Sequence, residues 1–168
     1  MTTSWLGAVR QISFTTDDID RQQRFWETQI GVGPWDVFRD LTLTMNHEGL
    51  PIALTVHVAL ALHEGVLIEL MQVLGQGPSP FHDRENRPIV GLQRLASVSD
   101  AILEDAAAAR SRGMEQFVDG VDATGQRYFY FRSPAAPGII LELLENTASF
   151  QAFVSGLEAR SRRPATNL

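Results

Sequence analysis

Two strongly apolar runs of the chain each carry one acid. Residues 66–73 read VLIELMQV, with Glu69 near the middle, and residues 139–145 read IILELLE, with Glu142 in the corresponding place. Such runs are typical of strands that are buried on both faces or that form one wall of a cavity. Because a buried carboxylate without a partner is strongly unfavourable, we expect the chain to supply a partner for each acid.

The segments that precede these two runs also resemble each other. Residues 11–19 read QISFTTDDI and residues 94–102 read RLASVSDAI, and both have the pattern of a strand that leads into a helix. We therefore predict a single domain over 1–168 that contains two homologous units, 8–74 and 91–146. A turn-rich, charged linker over 75–90 joins them, and 147–168 forms a C-terminal helix and tail.

Alternation of apolar and polar residues predicts the order β-α-β-β-β in the first unit. A helix capped by Thr16 or Asp17 follows the first strand and ends at Gly31. Residues 40–49 are polar enough to be a mobile loop or a sheet edge, and Glu64-Gly65 is predicted to be a hairpin turn. The four strands are predicted over 9–14, 35–38, 52–62 and 66–73.

The second unit has the same predicted order. Asp100 is expected to cap an alanine-rich helix that ends at Gly113. Beyond Asn146, three apolar residues recur at helical spacing and predict a short amphipathic helix, and the polar tail 160–168 is expected to be frayed. The strands are predicted over 92–97, 116–118, 127–131 and 139–145, and the three apolar positions are Phe150, Phe153 and Leu157.

Composition excludes several function classes. The chain has 168 residues, 44% of them hydrophobic, and a net charge of −6 with scattered basic residues, which argues against nucleic-acid binding. No run reaches the roughly 18 apolar residues of a membrane span. The N-terminal residues lack a signal-peptide core, so we expect a cytoplasmic protein. The absence of cysteine excludes disulfides, thiolate metal sites and a cysteine nucleophile.

The repeated units and three local motifs resemble the vicinal oxygen chelate superfamily, which includes glyoxalase I, methylmalonyl-CoA epimerase and extradiol dioxygenases. The motifs are IGVGPW at 30–35, LIELMQV at 67–73 and RYFYFRSPAAPGIILELLE at 127–145, and the resemblance covers about 8–146. It implies an α+β fold in which two βαβββ units form a cup-shaped sheet with the site inside. It also implies four metal-binding positions, which in this chain are Gln11, Glu69, Arg94 and Glu142.

Two of these positions depart from the family pattern, which usually has histidine at the first and third. Gln11 is an amide, and Arg94 is a permanently charged guanidinium that cannot ligate a cation. We therefore expect neither a metal nor another cofactor. A dioxygenase is also excluded, because its metal site needs two histidines and a carboxylate, and these positions lack the histidines. If Arg94 pointed out of the cup, Gln11 and the two acids would suit Mg²⁺ or Mn²⁺ better than zinc.

Arg94 is the expected partner of both acids, either as a purely structural ion cluster or as part of a catalytic site. The hypothesis we favour is a metal-independent lyase or isomerase that acts on a small carbonyl or carboxyl compound. Glu69 or Glu142 would be the general base, Arg94 the anion clamp or oxyanion stabiliser, and Gln11 a hydrogen-bonding neighbour. The alternative is a non-catalytic protein that sequesters a small molecule in the same cup.

Other residues are candidates for the wall or rim of the cup. At most one of Tyr128 and Tyr130 is expected to face the ligand with its hydroxyl. His57 faces it only if the turn at Glu64-Gly65 has three residues, because a two-residue turn places Leu60 beside Glu69 instead. Glu48 weakly resembles a base of the epimerase branch, and the other histidines are expected to face solvent. The candidate ligand-binding residues are Trp35, His57, Met71, Tyr128, Tyr130 and Leu144.

The expected partners are a small-molecule ligand and a second copy of the chain, without nucleic acid or membrane. Many members of the family are dimers, and two exposed sheet edges need cover. The helix that contains Phe150 and Phe153 is a candidate for that cover. Light scattering at micromolar concentration would give a dimer mass if this expectation is right.

Overall fold

The computed structural model describes residues 4–161. In this range the order β-α-β-β-β occurs twice and a C-terminal helix follows. A π-helical turn, Trp26–Ile30, extends α1. Of the predicted tail, 162–168 lie outside the described residues. The elements are β1 Val9–Thr15, α1 Ile19–Phe25, β2 Asp36–His47, β3 Leu50–His63, β4 Val66–Leu74, β5 Gly91–Ser99, α2 Ile102–Ser111, β6 Glu115–Val121, β7 Arg127–Arg132, β8 Leu141–Glu145 and α3 Ala148–Ser161.

The strands form a closed barrel in the order β1-β4-β3-β2-β6-β7-β8-β5. β1 runs parallel to β4, and β5 runs parallel to β8. The two halves of the barrel join where β1 meets β5 and where β2 meets β6, both antiparallel. The mixed α+β class is confirmed, but the sheet closes on itself and is not an open cup.

The longest departure from the predicted elements is β2. Residues 40–49 were expected to form a mobile loop or an edge, yet β2 extends through His47 and pairs with β3 along its length. Its last residues, 45–47, also pair with β6. The backbone groups of β2 form hydrogen bonds to neighbouring strands, and most of its side chains are exposed to solvent. Polar side chains are therefore compatible with a strand at this place.

Both predicted helix caps are wrong by one or more residues. Asp18 caps α1, and its carboxylate accepts a hydrogen bond from the backbone nitrogen of Arg21 at 2.9 Å. At α2, the Ser99 hydroxyl accepts from the nitrogen of Ala101 at 3.1 Å. Asp100 instead accepts a hydrogen bond from the Asn146 side chain at 2.6 Å. Acidic and hydroxyl residues cluster at both starts, so composition alone does not select the capping residue.

The turn at Glu64-Gly65 sets the register of the wall that carries Glu69. Both turn residues have positive φ, 48° and 79°, as a two-residue type I′ hairpin requires. Leu60 therefore lies opposite Glu69, and His57 lies opposite Gln72. Since strand faces alternate, His57 projects to the outside of the barrel.

The main core lies inside the barrel, and α1 and α2 pack on its outer surface. Inside, Phe81 from the linker is fully buried and packs with residues of most strands. Outside, Ile19 of α1 packs on Ala59 and Leu70. Leu157 of α3 is buried against Leu62 and Leu67. Within residues 4–161, no helix is long and apolar enough to cross a membrane.

Candidate active site

The barrel holds a cavity of about 760 Å³. Most of its wall is apolar, with side chains from β2, β3, β4 and α3. A polar cluster in the wall is contributed by the first and last strands of each half, which lie side by side in the barrel. Four polar residues meet there, namely Gln11, Glu69, Arg94 and Glu142.

Arg94 joins the two acids. Its side chain is 3% exposed, its Nη2 donates to Oε2 of Glu69 at 2.5 Å, and its Nε donates to Oε2 of Glu142 at 2.6 Å. Nη1 donates to the Gln93 side chain at 3.0 Å. The guanidinium carbon lies 5.0 Å from the ring centre of Tyr130 and 5.8 Å from that of Phe81. The predicted partnership of Arg94 with both acids is confirmed.

Gln11 completes the cluster on the β1 side. Its Nε2 donates to Oε2 of Glu69 at 3.2 Å and to the Ser13 hydroxyl at 3.1 Å. Oε2 of Glu69 therefore accepts from both Gln11 and Arg94. No hydrogen bond within residues 4–161 reaches Oε1 of Glu69 or of Glu142. Each acid keeps one oxygen available to a ligand.

One cation faces two carboxylates, so the fully ionised cluster has a net charge of −1. Burial lowers the pKa of Arg94, but Glu142 and Glu69 outweigh burial and raise it above the ordinary value. Glu142 is the more buried acid, 2% exposed against 8% for Glu69. Burial raises the pKa of Glu142 to about 7, with Arg94 opposing the shift and Glu69 adding to it. A carboxyl with this pKa can exchange a proton near neutrality.

Four of the predicted ligand-binding residues line the cavity: Met71, Tyr128, Tyr130 and Leu144. Both tyrosines line the cavity, and only the hydroxyl of Tyr130 lacks a hydrogen bond within residues 4–161, so the expectation that at most one presents its hydroxyl to the ligand stays a prediction. The two residues are separated by one position in β7, so strand alternation puts them on the same face. The Tyr128 hydroxyl donates to the carbonyl of Thr44 at 3.0 Å. Tyr130 makes no hydrogen bond through its hydroxyl within residues 4–161, and burial raises its pKa.

Trp35 and His57 do not line the cavity, so their predicted ligand contacts are wrong. Trp35 packs outside the barrel with the helical segment that contains Trp26, and its indole nitrogen donates to the Val32 carbonyl at 2.9 Å. His57 Nδ1 accepts from the backbone nitrogen of Asp40 at 3.1 Å. Trp35 follows the turn at the end of the helical segment and packs against that segment. His57 faces outward because the two-residue hairpin turn pairs it with Gln72.

Two further sequence expectations are corrected. Glu48 lies in the β2–β3 turn and pairs with Arg132 at 2.9 Å, outside the cavity wall. His82 was expected to face solvent but is buried, with Nδ1 2.6 Å from the Ser79 hydroxyl. The linker folds into the barrel around the neighbouring Phe81. A large apolar residue in an otherwise polar, turn-forming segment was the available signal for this packing.

Gln93 is the polar contact that sequence reasoning missed. It accepts a hydrogen bond from Arg94 and donates to the Pro80 carbonyl at 3.3 Å. It therefore ties the central arginine to the linker beside Phe81. Adjacent residues of a strand ordinarily face opposite ways, so strand alternation offered no reason to pair Gln93 with Arg94.

Comparison with known proteins identifies the family. Residues 10–131 match the model of the Glyoxalase/Bleomycin resistance protein/Dioxygenase superfamily. The chain belongs to this superfamily. No curated protein matches the chain by sequence.

Solved structures with a similar fold include two methylmalonyl-CoA epimerases. The enzyme from Mycobacterium tuberculosis has a TM-score of 0.62 and 16% identity, over 90% of this chain and 96% of that one. A variant of the Streptomyces coelicolor enzyme, in complex with 2-nitronate-propionyl-CoA, has a TM-score of 0.58 and 18% identity, over 85% and 99%. A hypothetical protein from Bacillus halodurans has a TM-score of 0.60 and 16% identity, over 83% and 94%.

The divalent metal that the superfamily resemblance implies does not fit these residues. A cation placed between Glu69 and Glu142 would compete with the guanidinium of Arg94 for both carboxylates. Gln11 supplies one neutral oxygen at most. Within the part of the chain that the structure describes, no group of three or more histidines and acids is arranged to hold a metal ion.

We expect the purified protein to bind no stoichiometric zinc, nickel or iron. Elemental analysis after dialysis should give well under one equivalent of each metal, and excess chelator should leave the unfolding transition unchanged. The Arg94→His variant tests the reason for this expectation. The substitution supplies a nitrogen ligand and removes the positive charge that competes with a metal ion for the two carboxylates. One equivalent of tightly bound metal in the unmodified protein would contradict the expectation.

Proposed function

We propose that the protein is a metal-independent isomerase or lyase that removes a proton from carbon beside a carbonyl group. The observation that carries the proposal is Glu142, a buried acid in the cavity wall with a pKa near 7 and an oxygen free of protein hydrogen bonds. The epimerases with a similar fold are isomerases, which agrees with this reaction class.

In the proposed reaction, Oε1 of Glu142 takes the proton and the C–H bonding electrons pass into an enolate. The Tyr130 hydroxyl, kept protonated by its raised pKa, donates a hydrogen bond to the developing oxyanion. An isomerase returns the proton from Glu142 to a different position of the enolate. A lyase expels a leaving group from the neighbouring carbon with its bonding electron pair, and the proton on Glu142 passes to that group. Both outcomes conserve the proton and electron count without a further reactant.

The contacts of Arg94 change the role first considered for it. Each of its three nitrogens already donates to a protein oxygen, on Glu142, Gln93 and Glu69. Arg94 therefore acts as a positioning residue that fixes both acids, and it is not the anion clamp. Gln11 has the same role toward Glu69.

We also infer that the barrel consists of two homologous units, 8–74 and 91–146. The register of the two parallel strand pairs supports this. Glu69 lies opposite Ser13, and Glu142 lies opposite Ala96. Ser13 and Ala96 occupy equivalent positions in the matched segments 11–19 and 94–102. The two acids therefore occupy corresponding places in the two halves.

A second candidate function is sequestration of a small molecule. The observation that favours it is the commitment of one oxygen of each acid to Arg94, within a cavity whose wall is otherwise largely apolar. A ligand recovered unchanged after long incubation with the pure protein would support sequestration. Chemical conversion of that ligand would eliminate it.

Proton removal is testable before the natural substrate is known. Small apolar ketones and thioesters are incubated with the protein in D₂O, and exchange of the α-hydrogen is followed by NMR. We expect Glu142→Gln to lower the exchange rate roughly 10²–10⁴-fold, because the amide cannot accept the proton. For the unmodified protein, kcat/KM should rise with pH through about 7, where Glu142 loses its proton.

Glu115→Gln is the matched control, since Glu115 is an exposed acid paired with Arg132 outside the cavity wall. It should leave exchange unchanged. Circular dichroism of each variant separates loss of the base from loss of the fold. Full exchange activity in a folded Glu142→Gln variant would show that Glu142 is not the base.

A further inference from the structure

The charges of the cavity wall limit the ligands that it can take. Within the residues that the structure describes, four charged side chains line the cavity: Glu69, Arg94, Asp122 and Glu142. Three are acidic and one is basic. The wall is therefore negative when its acids are ionised, and an anionic ligand meets net repulsion.

The one positive group is largely committed to protein acceptors. Arg94 is 3% exposed, and three of its five N–H groups donate to Glu142, Gln93 and Glu69. A ligand carboxylate or phosphate that reached a remaining N–H would lie beside two carboxylates that already pair with the guanidinium, and like charges at that range repel.

Asp122 increases the negative charge without a basic partner. One of its carboxylate oxygens accepts from the backbone nitrogens of Thr124 at 2.8 Å and Gln126 at 3.0 Å, and from the Thr124 hydroxyl at 2.7 Å. These donors are neutral, so they stabilise the carboxylate without cancelling its charge.

Two features of the wall favour a cation directly. Oε1 of Glu142 and of Glu69 has no hydrogen-bond donor within residues 4–161. Tyr128 and Tyr130 line the same cavity with ring centres 5.6 Å apart, and Tyr130 already has the Arg94 guanidinium 5.0 Å from its ring centre, so this wall accommodates a cation beside an aromatic ring. A single positive charge at Glu142 would also bring the net charge of the Glu69–Arg94–Glu142 cluster from −1 to zero.

Much of the remaining wall is apolar. Val56, Val58 and Leu60 of β3, Met71 of β4, and Phe150 and Phe153 of α3 surround the space beyond the cluster. Such a wall suits a hydrocarbon body and offers few hydrogen bonds to a polar one.

We infer that the cavity binds small lipophilic amines, with the ammonium at Glu142 and the hydrocarbon body against β3 and α3, and that it rejects anions of the same shape. An ammonium at Glu142 would occupy the oxygen that takes the proton in the proposed reaction, so a bound amine should inhibit α-hydrogen exchange and is not itself the substrate. The inference concerns binding alone and stands without turnover.

Binding is measured by calorimetry with three probes that share one scaffold: 4-phenylbutylamine, 4-phenylbutan-1-ol and 4-phenylbutanoate. At pH 8 we expect the amine to bind at least roughly tenfold more tightly than the alcohol, and the carboxylate at least roughly tenfold more weakly. Equal or tighter binding of the carboxylate overturns the inference. So does failure of all three probes to bind at about 1 mM.

The pH dependence identifies the responsible acid. The titratable and charged groups that face Glu142 are Arg94 from β5, Glu69 from β4, and Tyr128 and Tyr130 from β7. Arg94 stays charged and Tyr130 stays neutral between pH 6 and 8. Affinity for the amine should therefore rise across this range as Glu142 ionises, whereas affinity for the alcohol should not change.

Glu142→Gln should reduce the amine-to-alcohol preference at least tenfold. Glu115→Gln is the matched acid-to-amide control, because Glu115 is an exposed acid paired with Arg132 outside the cavity wall, and it should change the preference less than threefold. If Glu142→Gln does not fold, Glu69→Gln tests the same cluster and should also weaken the preference. An undiminished preference in a folded cluster variant overturns the inference. Amine preference without α-hydrogen exchange would instead reject the proposed reaction and leave this inference in place.

Discussion

Replacing Arg94 by methionine is expected to lower the free energy of unfolding by roughly 3–5 kcal/mol at pH 8, because two buried carboxylates lose the cation that pairs with both of them. The folded state would then hold protons on these acids more tightly than the unfolded state does. Stability of the variant should therefore fall as pH rises, and the loss should be smaller at pH 5.5 than at pH 8. Denaturant unfolding followed by tryptophan fluorescence measures both values.

Arg132 provides a matched control for this substitution. It also pairs with two acids, Glu48 at 2.9 Å and Glu115 at 2.8 Å, and it stacks on Phe117 at 4.6 Å. Its side chain is 40% exposed, so water screens the pairs and solvates the acids that remain. Arg132→Met should therefore cost several-fold less than Arg94→Met and depend little on pH.

A compensating set of substitutions separates lost charge pairing from lost packing. Arg94→Met combined with Glu69→Gln and Glu142→Gln leaves no buried carboxylate in the cluster and should recover most of the stability. If the single Arg94→Met variant instead unfolds at the denaturant concentration of the unmodified protein at both pH values, water must reach the acids freely. The description of a desolvated ion cluster would then be wrong.

The composition of this cluster followed from the sequence because its physical constraint is simple. An acid inside a strongly apolar strand needs a partner, and the resemblance to the vicinal oxygen chelate superfamily implied that Arg94 lies in the same site as Glu69 and Glu142. The strands around them had clear periodicity, and their existence was predicted correctly. Only the boundaries differ between the predicted and the observed strands; β8, for example, begins at Leu141 and not at residue 139.

The parts that could not be predicted depend on contacts distant in sequence. β2 is polar and was not recognised along its whole length, because its strand conformation depends on pairing with β3 and β6. The face of His57 depended on whether a turn had two residues or three, which the sequence left open. Trp35 has the composition of a ligand-binding aromatic, but packing beneath the helical segment removes it from the cavity.

Gly120→Ala is expected to lower the free energy of unfolding by roughly 2–4 kcal/mol, a large effect for one added methyl group. The Tyr128 side chain lies across Gly120 to reach the carbonyl of Thr44. A Cβ at residue 120 would lie 2.2 Å from Cζ and 2.3 Å from the hydroxyl oxygen of Tyr128. The ring must therefore move, which breaks its hydrogen bond and changes the shape of the cavity. Denaturant unfolding measures the loss of stability.

The same substitution in a Tyr128→Ala background tests this cause. Without the ring there is no clash, so the added methyl group should cost much less, and the difference between backgrounds is the coupling energy of the pair. Gly156→Ala in α3 is the control for alanine itself. Its Cβ would have no neighbour closer than 3.9 Å, and alanine favours helix, so stability should stay unchanged or rise by up to about 1 kcal/mol. An equal cost of Gly120→Ala with and without Tyr128 would show that backbone strain in β6, and not the tyrosine ring, sets the requirement for glycine.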